Sequence, residues 1–292
     1  MPVLPGTLGF GRTAGGVNLP IEVGGDGAID GSLPGGGEAY ATAVRADGAT
    51  GYWPLAEPSG TTATDYVGAH NGTYSSGVTL GQVGPFPDAD QTSAAFDGSA
   101  SCSTTLAYPT TALSMEVWVY RLGNGQGAKP RVFSDTLATN FPFELSYSDF
   151  GDLYFFLDFT VGGATGWVAA ATNVISVGSW THLVVTFDTA TSYTIYANGA
   201  VVYQTTAYAG KVLLPGQVQW NMASNQGSNS RLAQAATYPT ALSATQVARH
   251  YALQTAAFNP GIRPLALMYG RTAGDVNVPF RVDASGKLNI SW

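Results

Sequence analysis

The side chains able to do acid–base or nucleophilic chemistry are few and far apart. The 292-residue chain has one cysteine and three histidines, and its glutamates are Glu22, Glu38, Glu57, Glu116 and Glu144. Glycoside hydrolysis needs two carboxyl groups flanking one bond, and these five are scattered without forming such a set. His70, His182 and His250 fall in a turn, a strand and a helix, with no spacing that suggests a metal or a triad. Cys102 has no partner for an internal disulfide and reads as a small buried residue. Zinc spacings and the D-x-D-x-D-G calcium loop are absent. The sequence therefore predicts a non-enzyme without a cofactor. Asp65 and Asp97 could still tie down a loop through calcium, although Asp97-Gly98 is also ordinary turn chemistry.

Binding chemistry is better represented. A sugar site needs aromatic rings for the apolar faces of the sugar and amides or carboxylates for its hydroxyls. The loop from Trp220 to Asn229 offers both, in Trp220, Asn221, Asn225, Gln226 and Asn229, and Gly163–Trp167 adds Trp167. The loops Gly123–Gly127 and 140–143 have similar composition. The competing reading is that the amides serve their own loop's backbone.

The elements that position these residues read as strands. Charged residues make up only 11% of the chain, against about 25% in an average globular domain, and Thr, Val and aromatics take their place. Met115, Val117 and Val119 alternate with Glu116, Trp118 and Tyr120. Leu183, Val185 and Phe187 mark another strand, and Leu153–Thr160 is an aromatic run. Asn198-Gly199 between two apolar runs predicts a type I′ hairpin. One short helix is expected after Leu242, with Ser243 and Gln246 forming a capping box and Leu242 and Val247 a staple. It should lie on the sandwich surface.

The ends of the chain repeat each other. The 22 residues from Leu8 and those from Leu267 align without gaps and are identical at about half the positions, sharing Gly-Arg-Thr-Ala-Gly and Val-Asn-x-Pro. Each copy reads as two short strands around a turn, too small to be stable without a neighbour. Arg12, Thr13, Asn18 and Pro20, with Arg271, Thr272, Asn277 and Pro279, are the candidate anchoring residues. Gly31–Gly37 reads as a flexible joint and Asn259–Pro264 as a stiffer one. The division is residues 1–38 (arm and linker), 39–257 (main domain) and 258–292 (second arm).

Seven segments in order resemble the laminin-G-like, concanavalin A-like jelly-roll family. They are Gly51-Tyr-Trp-Pro-Leu, Asn71-Gly-Thr-Tyr after Asp65, Ala95-Phe-Asp-Gly-Ser, Ser114-Met-Glu-Val-Trp-Val, Trp180-Thr-His-Leu-Val-Val-Thr-Phe-Asp, Ile195-Tyr-Ala-Asn-Gly and Tyr238-Pro-Thr-Ala-Leu-Ser. The resemblance implies an all-β jelly-roll sandwich over residues 40–255, with small β-rich arms. Its glycosidases carry E-x-D-x-x-E on one strand, which is missing here. The acidic pair usual before the last strand is replaced by Ala233 and Gln234. The terminal repeats, and the opening run 40–55, resemble segments of tailed-bacteriophage virion proteins.

These resemblances imply a virion protein on the particle surface. Its arms would bind other virion proteins in a homo-oligomer, while its jelly roll meets cell-surface glycans. The alternative is a free carbohydrate-binding module, with a glycosidase a more distant third. A net charge of −7 disfavours direct nucleic-acid binding. No apolar run approaches the roughly 20 residues of a membrane span. The N-terminus does not read as a secretory signal.

Overall fold

The computed structural model describes residues 36–86, 91–135, 143–222 and 226–258, together with short strands at 10–12, 18–20, 269–271, 277–279, 281–282 and 288–289. Along the chain, β1 (Phe10–Arg12) and β2 (Asn18–Pro20) precede helix α1 (Gly36–Ala46). Then come β3 (Gly51–Trp53), β4 (Thr62–Ala63), β5 (Gly72–Tyr74), β6 (Val78–Val83), β7 (Thr92–Asp97), β8 (Cys102–Ala107) and β9 (Ala112–Arg121). They are followed by β10 (Arg131–Asp135), β11 (Phe143–Tyr147), β12 (Leu153–Leu157), β13 (Val168–Ala171) and β14 (Trp180–Asp188). β15 (Ser192–Ala197), β16 (Ala200–Thr205), β17 (Gln217–Trp220), β18 (Asn229–Tyr238) and helix α2 (Ala244–Phe258) complete the central body. β19 (Tyr269–Arg271), β20 (Asn277–Pro279), β21 (Arg281–Val282) and β22 (Leu288–Asn289) follow it.

Two antiparallel sheets make the sandwich. Sheet I has the order β13-β12-β11-β10-β17-β8-β5-β4, and sheet II the order β16-β15-β14-β9-β18-β7-β6, with β3 paired to β18. Side chains alternate across each strand, so Phe133, Leu145, Phe155 and Trp220 of sheet I meet Val117, Val119, Leu183, Val185 and Phe187 of sheet II in one core. Cys102 is buried in the same core. The Asn198-Gly199 hairpin forms as expected, with φ of 51° and 80° at its two central residues and Ala197 opposite Ala200.

Sheet II is also covered on its outer face. Tyr40 and Val44 of α1, and Val247 of α2, bury Trp118, Val184, Ala236 and Tyr238 in a second cluster. The two helices run antiparallel. Asp47, just past α1, binds Arg249 early in α2. At the other end Tyr40 packs 5.3 Å from Phe86, and Gln254 Nε2 donates to Pro85 O at 3.1 Å. The chain therefore enters α1 and leaves α2 beside the same short segment, 85–86.

Helix α1 was not expected. It begins inside the glycine run that reads as a flexible joint, so the division at 38/39 falls within a helix. Burial of its Tyr40–Ala43–Val44 stripe supplies what the glycines lack in propensity. It ends in a Schellman cap: Gly48, at φ 85°, donates to Arg45 O at 3.1 Å, and Ala49 N donates to Val44 O at 3.4 Å. Helix α2 starts where expected. Ser243 N donates to Gln246 Oε1 at 2.9 Å and Gln246 N donates to Ser243 Oγ at 3.3 Å, closing the capping box. It is 15 residues long, longer than the short helix anticipated.

The terminal repeat is also a repeat of backbone pairing. Phe10↔Pro20, Gly11↔Leu19 and Arg12↔Asn18 correspond one for one to Tyr269↔Pro279, Gly270↔Val278 and Arg271↔Asn277. In the second copy β21 also pairs with β22. Thr13, Thr272 and the joint 259–264 lie outside the described residues.

Candidate functional site

On the outer face of sheet I, Tyr154 and Phe156 alternate with the core residues Leu153, Phe155 and Leu157 of β12, and Glu144 alternates with Phe143 and Leu145 of β11. At one end of this face a cleft of about 360 Å³ is lined by Gly127, Ala128, Lys129, Arg131, Trp167 and Gln226. The Arg131 guanidinium lies over the Trp167 ring at 4.9 Å, and Phe156 supports that ring at 5.6 Å. Lys129 Nζ sits 3.4 Å from the centre of Tyr154. Beneath them Glu144 accepts from the Ser134 hydroxyl at 2.9 Å and from Arg131 Nε at 3.3 Å. Burial raises its carboxyl above the ordinary value, and Arg131 and Ser134 pull it back only in part. The cleft thus offers a half-buried aromatic ring, two cations and an amide.

Backbone bonds tie its loops together. Arg131 N donates to Gln226 O at 2.7 Å, and Gln126 N to Gly227 O at 2.9 Å. Trp167 and Gln226, predicted as binding residues from separate loops, are thereby brought to one place.

Other predicted binding residues lie elsewhere. Trp220 is fully buried, 6.0 Å from Trp53 and 6.2 Å from Phe133, and presents no platform to a ligand. It belongs to β17, whose alternation turns it into the core. Asn221 is buried and closes its own loop: it donates to Ala100 O at 2.8 Å and Ser228 O at 3.2 Å, and accepts from Ser228 N at 2.6 Å. Asn229 opens β18, half-buried, with its N–H donated to Tyr147 Oη at 3.1 Å, and is not part of the cleft lining. Asn225 lies outside the described residues. Lys129, Arg131 and Tyr154 escaped the sequence reading, although the alternation in β12 already put Tyr154 and Phe156 on the face away from the core.

A second cluster is buried under the helices. Glu116, which alternation puts on the face away from Met115, Val117 and Val119, is completely buried and surrounded by donors. Its Oε1 accepts from Tyr40 Oη at 2.7 Å, His182 Nε2 at 2.7 Å and His250 Nδ1 at 2.9 Å, and Tyr238 Oη donates to Oε2. His250 Nε2 lies 3.0 Å from Asp47 Oδ2, close enough for ionic attraction though off the line of a hydrogen bond. Two histidines with no common spacing in sequence thus meet at one carboxylate. The cluster holds both helices to sheet II and offers no open surface to a substrate.

Asp65 and Asp97 spend their oxygens on turn amides. Asp65 accepts from Tyr52 N, Val67 N and His70 N, and Asp97 from Ser99 N and Ala100 N. Among the described residues, no group of three or more His, Cys, Asp or Glu is placed to hold a metal ion.

The sequence profile of the concanavalin A-like lectin/glucanases superfamily (Laminin G type 3) matches residues 90–248. The chain belongs to this superfamily.

As a member, it departs from the expected acidic pair in a structured way. Ala233 lies opposite Trp118 in β18, and Gln234, at φ 55°, forms a bulge there. The Gln234 amide bonds Tyr52 and Gln91. An uncharged residue thus does structural work at that position. The superfamily fold recurs in the binding domain of botulinum neurotoxin serotype G, at 14% identity and a TM-score of 0.52, covering 71% of this chain and 51% of that one. The serotype D ligand-binding domain, in complex with N-acetylneuraminic acid, gives 12%, 0.53, 72% and 52%. Trypanosoma rangeli sialidase gives 9%, 0.53, 72% and 33%. The chain thus spans one third to one half of these structures. No curated protein matches it.

Proposed function

We propose that this superfamily member is a non-catalytic glycan-binding module, displayed on a bacteriophage particle and held there by its twin arms. The observation that carries the binding half is the cleft itself: Trp167, braced by Arg131 and Phe156, beside the Gln226 amide on the outer face of sheet I. An aromatic ring with convergent polar groups is the usual composition of a sugar site. The serotype D ligand-binding domain, which shares the fold and was seen in complex with N-acetylneuraminic acid, supports the same reading.

Among the described residues one carboxyl group, Glu144, lies at this cleft, and it is already held by Ser134 and Arg131. Hydrolysis by paired carboxylates would need a second one roughly 5–9 Å away. The sialidase neighbours share the fold, and binding accounts for this cleft with fewer groups.

The particle half rests on the repeated ends and their likeness to virion proteins. Two hairpins of equal register suit docking to equivalent partner surfaces in a homo-oligomeric assembly, where many weak sugar contacts add up. A free cellular module would have no use for paired arms.

The test is a glycan array probed with the full chain and with Trp167→Ala. Binding should appear on the wild type and be lost in the variant while its circular dichroism is retained. Equal binding by the variant would place the site elsewhere, and a wild type that binds no glycan would remove the reading.

A further inference from the structure

The cleft gathers positive charge on an acidic chain. The sequence has 12 Lys and Arg against 19 Asp and Glu, yet Lys129 and Arg131 stand together here, with Glu144 beneath them bonded to Arg131. Glu144 is engaged by Arg131 and Ser134, and its side chain is 1% exposed. Lys129 differs. Among the described residues no carboxylate lies within 4.0 Å of its ammonium, which rests instead on the Tyr154 face. A ring face engages an ammonium from one side, and three N–H donors have more to give.

The loop that carries this cation is fixed in place. Arg131 Nη1 donates to Lys129 O at 3.3 Å, and Tyr147 N donates to Pro130 O at 3.1 Å. Lys129 is only half-buried, so the charge is held at the rim, beside the Trp167 ring, within reach of a ligand.

Resting on the glycan-binding reading above, we infer that the cleft selects an acidic glycan, a sugar bearing a carboxylate or sulfate, with the anion at Lys129 and the sugar ring against Trp167. A neutral sugar would leave the ammonium without a counter-charge, whereas an acidic one supplies it. The two anion chemistries share this recognition and are separated by the probes.

The experiment titrates the full chain with sialyllactose, sulfated lactose and lactose at low and high salt. The acidic sugars should bind about fivefold more tightly than lactose at low ionic strength, with the advantage shrinking as salt is added. Lys129→Gln should abolish that advantage. Lys211→Gln, which removes a cation lying over Phe159, should keep it. Equal affinity for lactose and both acidic sugars overturns the inference, as does a preference that survives Lys129→Gln. In either case lactose binding lost in Trp167→Ala leaves the glycan reading standing. Binding of none of the three, with a silent array, removes both.

Discussion

Glu116 is a full negative charge with no exposure to water, and four donors stand around it. Burial opposes its ionisation, but His250 and His182 outweigh that and hold its carboxyl well below the ordinary value. Burial likewise lowers His250, yet Glu116 and Asp47 lift it to about 9. For His182 burial wins, and its pKa stays below 6.5 despite Glu116. The geometry agrees: both nitrogens of His250 face carboxylates, whereas His182 Nδ1 is buried with no hydrogen-bond partner among the described residues and is better left unprotonated. The other groups facing the cluster are Tyr40, Tyr238, Tyr52 and Arg249, the tyrosines all raised by burial. Between pH 6.5 and 9 the folded chain keeps a proton on His250 that the unfolded chain has lost, so stability falls as pH rises. Below 6.5 the unfolded chain takes a proton at His182 that the folded one resists, so stability falls as pH drops, and the carboxyls of Glu116 and Asp47 add to this further down. Melting temperature scanned from pH 4 to 10 should peak near 6.5. His250→Gln should flatten the alkaline side, and an unchanged alkaline limb in that variant would refute the assignment. Glu116→Gln should cost about 3–5 kcal/mol, because it leaves an imidazolium buried beside a neutral amide. None of this was legible in the sequence, because the five residues come from five separate segments. Alternation placed Glu116 beside Trp118 and could not say what lay opposite them.

The elements that lie opposite are the two helices, and the sequence announced only one. In α2 the signal was local: Ser243, Gln246 and the Leu242–Val247 staple sit at fixed offsets and form the contacts those offsets imply. Ser243→Ala should therefore cost about 1 kcal/mol, a fall on the order of 2–4 °C in melting temperature for a chain of this length, with sugar binding intact. Scanning calorimetry on that variant checks it, and no shift would mean the cap is redundant to packing. In α1 the local signal pointed the other way. Gly36 and Gly37 disfavour a helix by roughly 1 kcal/mol each, and only the Tyr40–Ala43–Val44 spacing hinted at one. What forms it is burial against Trp118 and Phe86, contacts distant in sequence. The strands were legible for the opposite reason: their period-2 patterns and the Asn198-Gly199 turn carry their own geometry. The cleft lay between these cases. The sequence marked Trp167 and Gln226, but the pairing of β10, β11 and β12 was needed to bring Arg131 and Lys129 to them.

Across the whole molecule the cleft and the two helices lie on opposite faces of the sandwich. Helices α1 and α2 cover the outer face of sheet II, and the chain enters and leaves them next to residues 85–86. The cleft opens on the outer face of sheet I, beyond the full thickness of the sandwich. If the proposed arms hold the chain at the helix face, the proposed binding cleft is presented away from that support, the arrangement the adhesion proposed above would need. It also makes attachment and binding separable. Arg12 and Arg271 occupy matching positions in the two hairpins, each opposite an asparagine, Asn18 and Asn277. If the arms are equivalent anchors, Arg12→Ala alone should weaken incorporation into particles partially. The Arg12→Ala/Arg271→Ala double variant should lose far more than the sum of the single effects on occupancy, because the second contact made by a tethered chain gains from its high effective concentration. Glycan affinity and melting temperature of the isolated chain should not change, since neither arginine lies in the sandwich. Quantifying the chain in purified particles beside a glycan titration reads both outcomes. Normal incorporation of the double variant would sink the anchor role, and a parallel loss of sugar binding would show that arms and cleft are not independent.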